Sequence, residues 1–261
     1  MATLPPSVAQ LLDALLADIR GTLVDNFVGA YLCGSLATGD FDPATSDVDL
    51  LFVTAETVFD AQLTSLGALH TRIPVDENDF GQPYEVYYID RQTLKRFKPG
   101  RRHVKAGLDE EFGWKAHRQN WVIERAVVRE HGVIISGPDP RTLIDPVTQD
   151  ETREAARAEL AIRVDDWANE WKGSVNPAPW IEKLGAQSFE VVTVCRALIT
   201  VEHGDLPSKP QAFAWGRANL PEEWRSLVQW AHKHRDDKTR STDMVPEVIR
   251  FVQWAAAEAT Q

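Results

Sequence analysis

The chain has 261 residues, of which 43% are hydrophobic and 26% charged, a composition typical of a globular protein with one large core or two modest ones. Its formal net charge of −11 argues against a surface built to neutralise nucleic-acid phosphates. The two cysteines, Cys33 and Cys195, lie in apolar stretches outside any CxxC motif or Cys/His cluster. Neither a zinc site nor a disulfide framework is therefore indicated.

The N-terminal segment 1–16 has no basic region and no clear signal cleavage site. No apolar run approaches the roughly 18 residues that are needed to span a bilayer. We therefore expect a cytoplasmic monomer that has neither a membrane nor a nucleic acid as its partner.

Helix and strand patterns alternate in the first half of the chain. Apolar side chains recur at helical spacing from residue 7 to 25, with Ser7 as the predicted N-cap, and further helices are predicted at 56–70 and at 120–132, the last ending at Gly132. Runs of β-branched, aromatic and other apolar residues predict four strands, at 27–34, 47–54, 84–90 and 133–137. Asp90, at the end of the third strand, is predicted to cap a following helix.

From residue 150 onward the patterns are helical throughout. Five helices are predicted, at 150–172, 183–203, 208–219, 221–235 and 244–259. This change predicts an α/β domain over residues 1–148 and an all-helical domain over residues 149–261.

The segment 98–121 between these patterns is charged and punctuated by glycine. It is interpreted either as a solvated loop or as a mobile lid over a substrate. In the second interpretation Trp114 and His117 lie near the substrate.

The segment "GSLATGDFDPATSDVDLLFV", residues 34–53, resembles a phosphate-binding loop at first. Gly34 and Gly39 have the required spacing, but the acidic Asp40 and then Phe41 follow where lysine and a hydroxyl residue are needed. A different group must therefore neutralise any bound phosphate.

Asp47 and Asp49 supply an alternative, because side chains two apart at the start of a strand share one face. Two adjacent carboxylates repel each other unless a cation lies between them, and an oxygen-only ligand set suits Mg²⁺. The turn at Gly34 and Ser35 allows backbone N–H groups and a hydroxyl to approach phosphate oxygens. The pattern predicts a magnesium–phosphate site. The competing interpretation is a Gly-Ser turn and a polar loop whose aspartates cap a strand.

Glu85 is the candidate for a third carboxylate, since it lies near the start of the predicted strand 84–90. A glutamate on a buried strand is costly unless it is paired or bound to a metal. Glu85 is therefore predicted to act as a general base and to touch a metal ion. The alternative is an edge-strand glutamate that faces water.

The stretch "YLCGSLATGDFDPATSDVDLLFV" resembles the Gly-Ser…Asp-x-Asp signature of the DNA polymerase β-like nucleotidyltransferase superfamily. The wider chain, including residues 129–147 and 195–221, resembles the streptomycin/spectinomycin adenylyltransferases. This resemblance implies a nucleotidyltransferase domain with a mixed sheet, followed by a helical bundle. It further implies Mg²⁺-dependent transfer of AMP from ATP to a hydroxyl of an aminoglycoside, with release of pyrophosphate, and hence antibiotic resistance.

The resemblance also implies roles for individual residues in a cleft between the two domains. Triphosphate would be held by Gly34, Ser35 and Ser46 and contacted by Arg196 and Lys209. Two Mg²⁺ ions would be bound by Asp47, Asp49 and Glu85, with Glu85 as the catalytic base. Two departures stand out: Arg235 occupies the position of an aromatic adenine contact, and residues 182–190 align no acid at the antibiotic site.

Two other functions remain open from the sequence. One is a nucleotidyltransferase that modifies a protein or a tRNA, as antitoxin-like enzymes do. The other is a non-catalytic nucleotide sensor with the same fold.

Overall fold

The computed structural model describes residues 4–43, 46–75, 78–81, 83–107, 110–171 and 180–260. The chain divides into two compact units, Met1–Val147 and Thr148–Gln261.

The first unit contains a six-stranded sheet in the order β5-β4-β3-β2-β1-β6. The strands are β1 (Phe27–Leu32), β2 (Val48–Thr54), β3 (Tyr84–Asp90), β4 (Arg102–Gly107), β5 (Glu110–Ala116) and β6 (Val133–Ser136). The β2–β3 pair is parallel and the other four pairs are antiparallel, so the sheet is mixed as expected. The helices of this unit are α1 (Pro6–Leu23), α2 (Gly34–Thr38), α3 (Asp60–Arg72), α4 (Arg91–Lys95), α5 (Asn120–His131) and α6 (Pro140–Leu143).

Successive residues of the central strands enter two different cores, because strand side chains alternate between the faces of a sheet. Leu50 belongs to a core with the apolar residues of α1 and α3 on one face. Leu51 belongs to a second core, with Trp121 and Val128 of α5, on the other face. We call this second side the α5 face.

The second unit is all helical. Its helices are α7 (Gln149–Trp171), α8 (Leu184–His203), α9 (Lys209–Asn219), α10 (Glu222–Lys233) and α11 (Val245–Glu258). By length and composition α8 is apolar enough to cross a membrane, contrary to the expectation from the sequence, but 56% of its apolar window is buried. It packs against α7, α9, α10 and α11 and is the core helix of this unit.

Several expectations are corrected by the fold. Ser7 is not the N-cap of α1, because the helix begins at Pro6 with Pro5 as its cap, and proline suits the first turn of a helix. The segment 98–121 is neither a solvated loop nor a lid, because most of it forms the antiparallel strands β4 and β5. The caps at Asp90, which accepts a hydrogen bond from Thr93 N, and at Gly132 are confirmed.

Candidate active site

Strand register brings two of the predicted carboxylates together. Asp49 on β2 is the direct partner of Glu85 on β3 in the parallel pair. Directly paired residues on neighbouring strands point to the same face, and the strands lie about 4.8 Å apart. Both carboxylates therefore lie side by side on the α5 face. Because β3 is an interior strand, Glu85 is not an edge-strand residue.

Gly34 lies directly against the Asp49 carboxylate. The backbone N–H of Cys33 donates to Asp49 O at 2.9 Å, so the end of β1 is tied to the start of β2. A side chain at Gly34 would overlap Asp49 Oδ2, and the residue has φ +53°, which favours glycine. The glycine thus leaves room for the carboxylate, and Ser35 follows it in α2.

Ser46 closes the loop that leads to Asp47. Its backbone N–H donates to Asp42 O at 2.8 Å, and its Oγ accepts from Asp42 N at 3.1 Å. These two bonds hold Ser46 against Asp42, directly before Asp47. Asp47 is half-buried and immediately precedes β2.

Two side chains contact one oxygen of Glu85. The Tyr87 hydroxyl donates to Glu85 Oε2 at 2.7 Å, and Lys105 Nζ lies 3.4 Å from the same oxygen. The Lys105 ammonium also lies 5.4 Å from the centre of the Tyr87 ring. A Cβ at Gly107 would lie 3.1 Å from Glu85 Oε1, so the absence of a side chain at this residue of β4 leaves space beside that oxygen.

Carboxylates on the α5 face act on two neighbouring acidic groups. Burial, and then Asp49 and Glu124, raise the pKa of the Cys33 thiol. Burial, and then Glu85, Glu124 and Asp49, raise the pKa of the Tyr87 hydroxyl. Glu124, on α5, is a further carboxylate that sequence reasoning missed. The sequence signal for Glu124 is its position one helical turn from Trp121 and one from Val128, two of the residues that α5 buries.

The oxygen donors partly fit the expected magnesium site. Asp47 and Asp49 offer hard oxygen ligands, and Mg²⁺ is commonly held by one or two carboxylates with water and phosphate completing its shell. Over the residues that the structure describes, no three His, Cys, Asp or Glu side chains form a metal-holding group. Glu85 is instead engaged by Tyr87 and Lys105. Among the described residues the three carboxylates are thus not gathered into one group, and Glu85 as a metal ligand stays a prediction.

The two expected substrate contacts, Trp114 and His117, pack on different sides of the sheet. Trp114 pairs with Val104, which faces the core of α1 and α3, so it lies on the opposite face of the sheet from Glu85. His117 is buried and stacks on Trp121 at 4.8 Å between ring centres. Burial, and then His103 and Arg125, lower its pKa to about 3. Neither residue is an exposed side chain on a lid.

In the second unit, Arg196 and Lys209 are held near one turn. Arg196 Nε on α8 donates to Pro207 O at 2.9 Å. Lys209 begins α9 after the N-cap Ser208, and its ammonium lies 5.1 Å from the ring centre of the exposed Phe189. The turn before α9 thus places both cations on the surface of the helical unit.

Comparisons with known proteins show which families the two parts of the chain match. Residues 16–154 match the family "Nucleotidyltransferase domain", and residues 142–258 match "Aminoglycoside adenylyltransferase, C-terminal domain". Aminoglycoside (3'') (9) adenylyltransferase of Klebsiella pneumoniae is 23% identical over 94% of this chain and 94% of its own length. The same enzyme of Escherichia coli is 23% identical over 97% of this chain and 95% of its own.

A solved structure shares the fold. The crystal structure of spectinomycin adenyltransferase AAD(9) from Enterococcus faecialis, with ATP and spectinomycin, matches with a TM-score of 0.75 and 15% sequence identity. The match covers 97% of this chain and 99% of that chain. Since the nucleotidyltransferase match alone covers more than half of the chain, and the C-terminal match most of the remainder, the protein is an enzyme of the aminoglycoside adenylyltransferase family of nucleotidyltransferases.

Proposed function

We propose that this enzyme transfers AMP from ATP to a hydroxyl group of an aminoglycoside-type antibiotic, releases pyrophosphate, and so inactivates the antibiotic in the cytoplasm. The observation that carries the proposal is the direct pairing of Asp49 and Glu85 on the α5 face, with Gly34 packed against Asp49. The names of the relatives, aminoglycoside and spectinomycin adenylyltransferases, support the choice of substrates.

On the nucleotide side, the residues around β2 bind and orient the triphosphate. The backbone at Gly34 and Ser35 approaches the phosphates closely because Gly34 has no side chain, and Ser46 is proposed to contact the triphosphate from the segment before β2. Two Mg²⁺ ions held by Asp47 and Asp49 would neutralise the triphosphate and the leaving pyrophosphate. Arg196 and Lys209 are proposed to bind phosphate oxygens through charge-assisted hydrogen bonds.

On the acceptor side, Glu85 is proposed to be the general base. It takes the proton from the acceptor hydroxyl while that oxygen forms a bond to the α-phosphorus, and the bond from the α-phosphorus to the pyrophosphate oxygen breaks. The negative potential from Asp49, Glu85 and Glu124 suits a substrate that carries several ammonium groups. An uncharged alcohol would gain nothing from this potential.

The test is pyrophosphate release from ATP–Mg²⁺ against a set of aminoglycosides and aminocyclitols, including streptomycin and spectinomycin, with mass spectrometry of the product. We expect release that depends on the acceptor and a product heavier by one AMP. Asp49→Asn, which keeps the size of the side chain but removes its charge, should abolish both signals. Label from ATP that enters a protein or an RNA, with no small product, would contradict the proposal.

A further inference from the structure

The two oxygens of Glu85 have different surroundings. Oε2 accepts the Tyr87 hydroxyl proton at 2.7 Å and lies 3.4 Å from Lys105 Nζ. Among the described residues, no hydrogen bond is recorded to Oε1, which points to the side of Gly107. The carboxylate is therefore held by one oxygen, and the other oxygen is available to a ligand.

The backbone dictates this arrangement. Tyr87 follows Glu85 by two residues on β3, so both side chains lie on the α5 face. Lys105 is the antiparallel partner of Tyr87 on β4, which places its side chain on the same face. Three adjacent positions of a regular sheet thus supply the carboxylate, the hydroxyl and the ammonium group.

The Tyr87 hydroxyl has a fixed position and keeps its proton. Its ring meets the edge of Trp121 at 5.2 Å and lies 5.8 Å from His103, measured between ring centres. Burial and the neighbouring carboxylates raise its pKa, so it remains a hydrogen-bond donor in the working range of the enzyme. Tyr87 is therefore a permanent donor to Glu85 rather than a second acid or base.

Lys105 and Glu85 form a pair that is largely withdrawn from water. Their side chains are 14% and 19% exposed. Ion pairs at fully exposed sites contribute little, because water and salt screen them, whereas a partly buried pair with an added hydrogen bond holds its geometry. The ammonium group therefore helps to fix the carboxylate and leaves one edge open.

We propose that Tyr87 and Lys105 are positioning residues for the base: they hold Glu85 Oε2, so that Oε1 is the oxygen that accepts the proton of the acceptor hydroxyl. This inference rests on the proposed role of Glu85 in AMP transfer. Its physical basis is that a general base acts only when its oxygen is held within hydrogen-bond reach of the proton. A carboxylate that rotates freely spends less time in that geometry.

The experiment compares Tyr87→Phe and Lys105→Met with a matched control, Tyr31→Phe. Tyr31 lies in the same core on β1, which is separated from β3 by β2, and its hydroxyl donates to Pro138 O at 2.7 Å. The control therefore loses an equivalent hydrogen bond away from Glu85. For each variant, kcat and KM are measured with ATP and with the acceptor, and ATP–Mg²⁺ affinity is measured by calorimetry.

We expect Tyr87→Phe to lower kcat by about 10- to 100-fold, as is typical for a displaced acid–base group, with ATP affinity within twofold of wild type. Lys105→Met should lower kcat in the same way, and the double variant should lose less than the product of the two losses, because both residues act on one oxygen. Tyr31→Phe should keep the wild-type kcat. A wild-type kcat in Tyr87→Phe, or equal losses in Tyr87→Phe and Tyr31→Phe, would overturn the inference.

A crystal structure of Tyr87→Phe gives a readout that is independent of turnover. We expect the Glu85 carboxylate to occupy more than one orientation, whereas a single unchanged orientation would refute the positioning role. If Tyr87→Phe does not fold, Lys105→Met is subjected to the same two measurements. An active Glu85→Gln enzyme would sink the proposed function, while an inactive Glu85→Gln beside a fully active Tyr87→Phe would sink this inference alone.

Discussion

Each unit of the molecule contains a glutamate that is held by a cation and an aromatic donor, yet their surroundings differ. Glu85 in the first unit is held by Lys105 and the Tyr87 hydroxyl. Glu190 in the second is held by Arg163 and the side chain of Trp167. The Glu190 side chain is only 5% exposed, against 19% for Glu85.

The difference separates a structural pair from a candidate catalytic one. Glu190 lies on the core helix α8, and burial raises its pKa although Arg163 acts in the opposite direction. Within the described part of the chain, its buried Oε1 has no hydrogen-bond partner. Glu85, in contrast, is paired with Asp49 on the neighbouring strand, and one oxygen of its carboxylate is available to a ligand. An ion pair with an aromatic neighbour therefore does not by itself indicate a functional site. The features that do indicate one at Glu85 are the second carboxylate, Asp49, and the turn at Gly34.

The largest effect is expected at Gly34, because the turn at this glycine is a feature of the Glu85 site that the Glu190 pair lacks. Gly34→Ala should lower AMP transfer by 100-fold or more. The alanine Cβ would overlap Asp49 Oδ2, and the positive φ of residue 34 disfavours residues other than glycine. The carboxylate would therefore be displaced, and displacements of about 1 Å cost roughly 100-fold in rate. Steady-state kinetics measures the loss. Gly21→Ala, whose Cβ would meet nothing within 4 Å, is the control and should keep full activity.

A second prediction compares the contributions of the two glutamates to the free energy of unfolding. Glu190→Ala should lower the free energy of unfolding by about 2–4 kcal/mol, somewhat below a fully buried pair because the Arg163 side chain is 24% exposed and can reach water. Glu85→Gln should lower it by less, about 1 kcal/mol, because the Glu85 side chain is more exposed and the amide oxygen can still accept the Tyr87 hydrogen bond. Urea unfolding measures both values. Equal stability losses in the two variants would remove the distinction drawn above.

The cations of the helical unit should affect affinity rather than folding. Arg196→Ala and Lys209→Ala are each expected to raise KM for ATP by about tenfold, the effect of losing a hydrogen bond to a charged group. Lys233→Ala, an exposed lysine on α10, removes the same charge and should leave KM unchanged. An equal rise in all three variants would indicate a general charge effect.

The smallest effect at neutral pH is expected from a buried histidine that, like Glu190, serves structure. His70 bonds Tyr84 through Nδ1 at 2.9 Å and Tyr88 through Nε2 at 2.8 Å, and burial lowers its pKa to about 4. Above pH 6.5 its contribution is complete. Below that value the unfolded chain binds the proton first, so stability falls as the pH drops from 6.5 toward 4. Urea midpoints should show this slope in wild type and a shallower one in His70→Gln, and equal slopes would contradict it.

Much of the first unit could be predicted from local sequence patterns. The strand predicted at 84–90 is β3, and the i, i+2 spacing at Asp47 and Asp49 indicated the shared face on which Asp49 meets Glu85. These features depend on side-chain alternation and on a turn that only glycine accommodates, both of which are local properties.

The environment of Glu85 could not be predicted in the same way, because it depends on pairing between distant strands. Lys105 contacts Glu85 only because of the β3–β4 register. The sequence of β4 lies in the charged segment 98–121, whose composition favours a loop or a lid. The alternation of His103 and Lys105 with Val104 and Ala106 has the period of a strand and was the available signal. The burial of His117 also follows from that hairpin, and its assignment to the substrate stays a prediction.

Glu85→Gln provides the most direct measurement of the central claim, with ATP–Mg²⁺ binding and AMP transfer followed on the same preparation. The variant retains the shape of the side chain but has no carboxylate to accept a proton. We predict wild-type affinity for ATP–Mg²⁺ together with a loss of transfer of at least 100-fold. Wild-type turnover by this variant would show that the carboxylate beside Asp49 is not the base.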